Sequence, residues 1–444
     1  MKTPIDFNIV RKNIKESGLE KVGMASIREL NRLANNIVED TGDQFIRMEM
    51  GVPGFNPPVI AVESEIEALK KGVGSKYPPF DGIPQLKSEI SRFIKKFMNI
   101  DVDKVSCFPT VGSMQGCYMA MMVTSRRFKG KHKVLFIDPG FPVNKKQAKA
   151  IGLQYDQFDV YNFRGNKLEE KLESYLSTGE FSSIMYSNPN NPSWICFNDK
   201  ELEIIGKLAT KYDVVVLEDL AYFGMDFRKD YSVPGQEPYV PSVANYTENY
   251  ILLISSSKSF SMAGQRIGMT AISDHLFNSE GDNLKPYFDS NKFGYAYIFG
   301  AMYALSSGVS HTNQYGLHGL LKATNDGKYN FLEVVREYGE RAKVMKKIFI
   351  DSGFEIVYDK DIDEPIADGF YFTISYPGFT GTELVEELMY YGISAISLSS
   401  TGSDRHEGLR ACVSFTPKEL FPVLEERLRQ FKIDHSDGTK VINL

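Results

Sequence analysis

From about Lys131 onward, short apolar runs alternate with helical stretches along the chain. The runs are "KVLFIDP" (Lys133–Pro139), "SSIMYSNP" (Ser182–Pro189), "DVVVLED" (Asp213–Asp219), "YILLISSSK" (Tyr250–Lys258) and "GMTAIS" (Gly268–Ser273). Each is too continuous for a strand with one wet face and suits a strand covered on both sides. Between the second and third, "NDKELEIIGKLATKY" sets Leu202, Ile205 and Leu208 on one stripe, with Asn198 or Asp199 available as cap. That spacing predicts a crossover helix. Strand and helix in such alternation predict an α/β domain around a mainly parallel sheet sandwiched by helices.

After about Lys322 the period changes. "KYNFLEVVREYGERAKVMKKIFIDSGF" reads as one long helix, and "GFYFTISY" as a strand with one exposed face. A helix ("TELVEELMYYG"), strands ("SAISLSS", "GLRACVSF") and a last helix ("PKELFPVLEERLRQF") follow. This is an α+β pattern and predicts a second, smaller domain. The expected division is an N-terminal segment, 1–70, packed beside the small domain; a large domain, 71–325; and the small α+β domain, 326–444.

Composition narrows the partners. The chain has 444 residues, 42% hydrophobic and 24% charged, with a formal charge of −6 and no long basic block. A mildly acidic globular protein of this kind is not built for nucleic acid or an anionic membrane, so small metabolites are the expected partners. Four scattered cysteines make no CxxC pair, and six histidines never fall at ligand spacings such as HxH or HExxH. Neither a disulfide framework nor a metal centre is therefore expected. "MKTPIDFNIVRKNIKESG" lacks an apolar signal core, and no apolar run approaches the length of a membrane span. A cytoplasmic protein is expected.

The candidate chemistry lies where the apolar runs end, because ligands of open α/β sheets bind at the carboxyl ends of the strands. "ISSSKSFSMAGQRIG" brings Lys258 out of a strand into a nest of serines, with Arg266 eight positions on. A lysine amine held among other cations is a candidate for Schiff-base chemistry with a carbonyl cofactor. Ser255 and Ser257 offer hydroxyl donors to a phosphate, and Arg266 offers the cation. "DVVVLEDLAYFG" delivers Asp219, a carboxylate able to keep a pyridine nitrogen protonated, and Tyr222 three residues later. Tyr222 and Asn191 of "NPNNPSW" are candidate partners for a phenolic oxygen on the same ring. "PTVGSMQGCYMAMM" reads as a glycine turn opening a helix, with the N–H groups of Gly112, Ser113 and Met114 at its positive end.

This ordered set resembles the class I/II aminotransferases, pyridoxal-phosphate enzymes of fold type I. The resemblance runs from about Met48 to Phe415 and includes "GVPGF" (Gly51–Phe55), "YPPFDGIPQL" (Tyr77–Leu86), the glycine–serine turn, "NPNNP", "DLAY", "SSSK" with "GQR", and an arginine on a C-terminal strand. It implies a seven-stranded sheet and pyridoxal 5'-phosphate as cofactor. It also implies amino-group transfer between an L-amino acid and a 2-oxo acid; the alternatives are lyase, decarboxylase or synthase chemistry on the same scaffold and, behind these, a non-catalytic protein that binds the cofactor or an amino acid. Lys258 is then similar to the Schiff-base lysine, and Arg266, Ser255, Gly112, Ser113 and Met114 to the phosphate cradle. Tyr77 matches a tyrosine that reaches a partner subunit's phosphate, which implies a homodimer with shared sites. Phe141 of "DPGFPVN" stands where the family stacks a ring on the pyridine. Arg410 of "EGLRACVSF", whose planar fork matches a carboxylate, is implied as the substrate's α-carboxylate clamp, assisted by Gly51 and Asn191. Ser193 and Trp194 depart from the family's usual threonine and glycine. Trp194 either narrows the pocket or packs outside it.

Overall fold

The computed structural model describes residues 3–443. Seven strands form the large sheet: β1 (Cys107–Thr110), β2 (Lys133–Asp138), β3 (Gln154–Asp159), β4 (Phe181–Ser187), β5 (Val215–Leu220), β6 (Tyr250–Ser255) and β7 (Gly268–Ile272). Their order is β1-β7-β6-β5-β4-β2-β3, with β7 antiparallel to both neighbours and the remaining pairs parallel. The five apolar runs are β2, β4, β5, β6 and β7. The two edge strands carry weaker signals. β1 is four residues long and contains Pro109, tolerated because an edge strand need not donate on both sides. β3, "QYDQFD", is half polar because its outer face meets water.

Helices cover the sheet. Asp199–Lys211 starts with a capping box in which Asn198 and Glu201 bond each other's backbone N–H groups, and it buries Leu202, Ile205 and Leu208. Gly112–Thr124 packs on β6 and β7 and points its N-terminus at the carboxyl ends of the parallel strands. Val59–Lys70 packs on His311–Asn325.

The smaller sheet has the order Ile396–Ser397, Leu409–Cys412, Tyr371–Ser375, Glu355–Ile356, all antiparallel. Two expectations change here. The long helix is shorter: the helix proper is Glu337–Asp351. Before it, the Asn330 side chain accepts from the Leu332 N–H at 2.9 Å and holds a chain of turns. Those turns bury Phe331, Leu332 and Val335. The strand Tyr371–Ser375 is buried along its whole length, not wet on one face. The N-terminal part has no sheet of its own: Ile46–Arg47 pairs in parallel with Ile393–Ser394, and Met48 accepts from the Cys412 N–H at 2.9 Å. Among the described residues no helix is long and apolar enough to cross a membrane.

Candidate active site

Because β4, β5 and β6 run parallel, their carboxyl ends share one edge of the sheet, and Ser187 of β4 stands in register with Asp219 of β5. A cleft of about 340 Å³ opens there. Its walls include Gly51, Ser113, Met114, Phe141, Asn191, Asp219, Tyr222, Ser255, Ser257, Lys258, Arg266 and Arg410. Residues spread over 360 positions of sequence thus meet around one hollow.

The turn after β6 explains how the lysine is aimed. Ser256 points away from the cleft and donates to the Ile267 carbonyl, tying the turn to the start of β7. Ser255 accepts from the Ser257 N–H at 3.1 Å, and Ser259 donates to Phe223 O at 2.7 Å. With its neighbours so held, Lys258 extends into the cleft, and its Nζ donates to the Gly51 carbonyl. Burial, with Arg410 and Arg266 nearby, brings its amine down to about 8 from an ordinary 10.5. Gly51 has to be glycine: a Cβ there would lie 2.1 Å from the Tyr371 hydroxyl.

Asp219 is 7% exposed, and its Oδ1 has no hydrogen-bond partner. Burial raises its carboxyl to about 7, against the pull of the Ala221 N–H. A buried carboxylate oxygen without a donor is costly, so this arrangement fits a cationic or N–H-bearing guest. Cys117 borders the same space; its thiol is pushed well up, first by burial and then by the Asp219 charge.

At one end of the cleft Gly112 adopts φ +64°, open to glycine at little cost, and turns the chain into the helix. A Cβ at Gly112 would come within 2.7 Å of Arg266 Nη2, so the missing side chain is the space the guanidinium uses. Arg266 is exposed and anchored through Nη1 to Ala263 O at 2.8 Å. Guanidinium, serine hydroxyls and helix N-terminus together make an anion cradle.

At the other end Arg410 is 2% exposed. Its Nη2 donates to Glu49 O at 2.5 Å and its Nη1 to Asn191 Oδ1 at 3.4 Å, while Nε is unpartnered. It lies inside the protein, with donor capacity left for a carboxylate.

Tyr77 stands apart. It does not line the cleft and is 94% exposed. Lys292 and "FGYAYIF" also lie outside the cleft: Phe293, Ala296 and Tyr297 are core, while Tyr295 and Phe299 are exposed. Trp194 packs behind the cleft, fully buried against Gly369, with its ring 5.3 Å from that of Tyr222. Sequence reasoning missed Tyr371, whose hydroxyl is 2.8 Å from that of Tyr222 and whose ring lies 4.4 Å below the Arg410 guanidinium. Its only signal was "GFYFTISY", which reads as an ordinary strand.

The profile of the family described as aminotransferase class I and II matches residues 44–425. The chain is 26% identical over 356 residues to a probable aspartate aminotransferase of Methanocaldococcus jannaschii, covering 76% of this chain and 87% of the relative. It is 30% identical over 257 residues to aromatic-amino-acid aminotransferase 2 of Thermococcus litoralis, 57% of this chain and 62% of the relative. In fold it is similar to the aspartate aminotransferase of Thermotoga maritima, with a TM-score of 0.73 at 19% identity over 95% of this chain and 99% of that one. With most of its length matched, the chain belongs to the class I and II aminotransferases and is an enzyme of amino-group transfer.

Proposed function

We propose that the enzyme uses pyridoxal 5'-phosphate to move an amino group between an L-amino acid and a 2-oxo acid. The observation that carries this reading is the meeting of two groups in one cleft: the partnerless Asp219 Oδ1 and the deprotonation-prone Lys258 amine, which donates to the Gly51 carbonyl. The residues fit the cofactor: a carboxylate for a ring nitrogen, an amine for an aldehyde, and a cradle at Gly112–Met114, Ser255, Ser257 and Arg266 for a phosphate.

When bound, the cofactor supplies an aldehyde for imine exchange and a ring that accepts the electron pair released at the substrate α-carbon. The chain does the rest. Asp219 would hold the proton on the ring nitrogen, Tyr222 and Asn191 would hydrogen-bond the phenolic oxygen, and Phe141 would cover the ring. Arg410 grips the α-carboxylate with its guanidinium fork, which sets the α-carbon within reach of Lys258. Lys258, with its amine held near neutrality, would serve as the base for the α-proton.

A homodimer is part of this reading. Tyr77 is exposed beside an uncovered aromatic group, in which the Phe80 and Tyr303 rings are 4.7 Å apart and Phe299 is 49% exposed. Such a patch suits a second subunit, to whose cradle Tyr77 would extend. We also read 71–325 as the cofactor-binding domain and 326–444, with the N-terminal segment, as the smaller one, although Val59–Lys70 packs with His311–Asn325. Four free cysteines accord with work in the cytoplasm.

Borohydride reduction of the cofactor-loaded enzyme and peptide mapping should find a pyridoxyl group on Lys258. Amino acids should then bleach the bound chromophore, and a 2-oxo acid should restore it in equal amount. Release of ammonia with no acceptor present would instead assign the lyase alternative.

A further inference from the structure

Tyr371 opens the strand that pairs with Leu409–Cys412, and that register sets it opposite Cys412, on the same face as Arg410 two positions along. Three neighbours fix its ring. The Arg410 guanidinium lies over one face, Trp194 meets it edge-on at 6.1 Å, and Phe370 does so at 5.0 Å. Its hydroxyl accepts from that of Tyr222 at 2.8 Å, above the bare Cα of Gly51; either hydroxyl can turn to donate. Burial raises both phenols, Tyr222 well above its ordinary value and Tyr371 to about 12, so each keeps its proton. Two neutral hydroxyls joined by one hydrogen bond have one proton left to offer outward.

We propose that Tyr371 is a positioning residue of the amino-transfer site: with the cofactor bound the shared hydrogen bond turns round, so that Tyr371 donates its proton to Tyr222 Oη and the Tyr222 proton goes to the phenolic oxygen of the cofactor, while the Tyr371 ring seats Arg410. This rests on the proposed use of pyridoxal phosphate. The two ends of the cleft are thereby joined through one side chain, since the ring that carries the carboxylate clamp also feeds the donor at the cofactor. A hydroxyl that accepts a hydrogen bond donates more strongly. Removing that support weakens the Tyr222 donor, destabilises negative charge on the phenolic oxygen, and raises the affinity of the cofactor's imine for its proton.

The test is spectrophotometric pH titration of the enzyme-bound chromophore. Tyr222→Phe should raise its pKa by about 1–2 units, the size of a hydrogen bond to a charged oxygen. Tyr371→Phe, which keeps the ring, should raise it by about 0.3–0.6 unit. The double variant should titrate with Tyr222→Phe alone, because Tyr371 acts through Tyr222. Tyr371→Leu, which removes the ring, should also raise KM for the amino acid about three- to tenfold, whereas Tyr371→Phe should leave KM near wild type. An unmoved titration in Tyr371→Phe, or shifts that add in the double variant, overturns the inference. A wild-type protein that gains no chromophore with pyridoxal phosphate overturns the cofactor reading beneath it, which is a different result.

Discussion

Two hollows in the molecule invite comparison. The larger, about 540 Å³, lies where the hairpin Lys360–Pro365 meets the large domain and is lined by Arg164, Arg228, Asp226 and Asp361. The smaller is the cleft at the ends of β4, β5 and β6. In the larger, the arginines are paired: Arg164 binds Glu201 at 2.7 Å and Asp361 at 2.8 Å, and Arg228 binds Asp226 and Asp361, each at 2.8 Å. In the smaller, Asp219 Oδ1 and Arg410 Nε have no partner. Size therefore does not mark the reacting site. Of these two hollows only the cleft is lined by unpartnered buried groups, which folding leaves only at a cost.

The sharpest way to test that contrast is Asp219→Asn. Turnover should fall about 10³-fold, the loss expected when one preorganised charge is removed from a reacting centre. The cofactor-free protein should respond in the opposite sense. The folded chain holds Asp219 at about 7 against an ordinary 3.8, so it keeps a proton that the unfolded chain releases. Its contribution is present at low pH and drains away as pH rises from 4 to 7. The asparagine variant lacks this loss and should gain up to roughly 4 kcal/mol over wild type above pH 7, and little near pH 4. Denaturant melts at the two pH values check it. A gain independent of pH would show that Asp219 is not a strained carboxylate.

Lys258 supplies the next contrast, a cleft amine bonded to a backbone carbonyl against the ion-paired arginines of the larger hollow. With its pKa near 8, the neutral amine needed for attachment accumulates about two units below an ordinary lysine. The rate at which added pyridoxal phosphate attaches to the cofactor-free protein should climb about tenfold per pH unit and level off above pH 8. Continued tenfold growth beyond pH 9 would mean the amine is not depressed by its surroundings.

Much of this cleft was legible in the chain. Lys258 and Asp219 follow apolar runs, and a polar residue just past a buried strand has few places to go except the sheet's carboxyl edge. Tyr371 was not legible. Its hydroxyl partner is 149 positions away, and nothing in "GFYFTISY" separates a functional phenol from a packing one. The same holds for Trp194, whose place behind Tyr222 depends on Gly369 leaving room for its indole. β3 was missed because an edge strand need not be apolar. The turns before Glu337 carry Phe331, Leu332 and Val335 at a helical period, and that spacing does not reveal the Asn330 side chain that takes the Leu332 N–H.

The larger hollow should behave in the opposite way to the cleft, and Asp361→Asn tests this. Asp361 joins Arg164 and Arg228 across the hairpin, with its side chain 5% exposed. Asparagine keeps the shape and one acceptor but removes the charge, leaving two guanidinium groups facing each other with a weaker bridge. Stability should fall by about 2 kcal/mol, the worth of a hydrogen bond to a charged group in a buried setting. A urea melt of the loaded enzyme reads that loss. Turnover under folding conditions should stay within about twofold of wild type, because no atom of the pair borders the cleft. A large fall in kcat with stability intact would mean the paired charges act in the reaction, and the distinction between spent and unspent groups would no longer separate structure from chemistry in this chain.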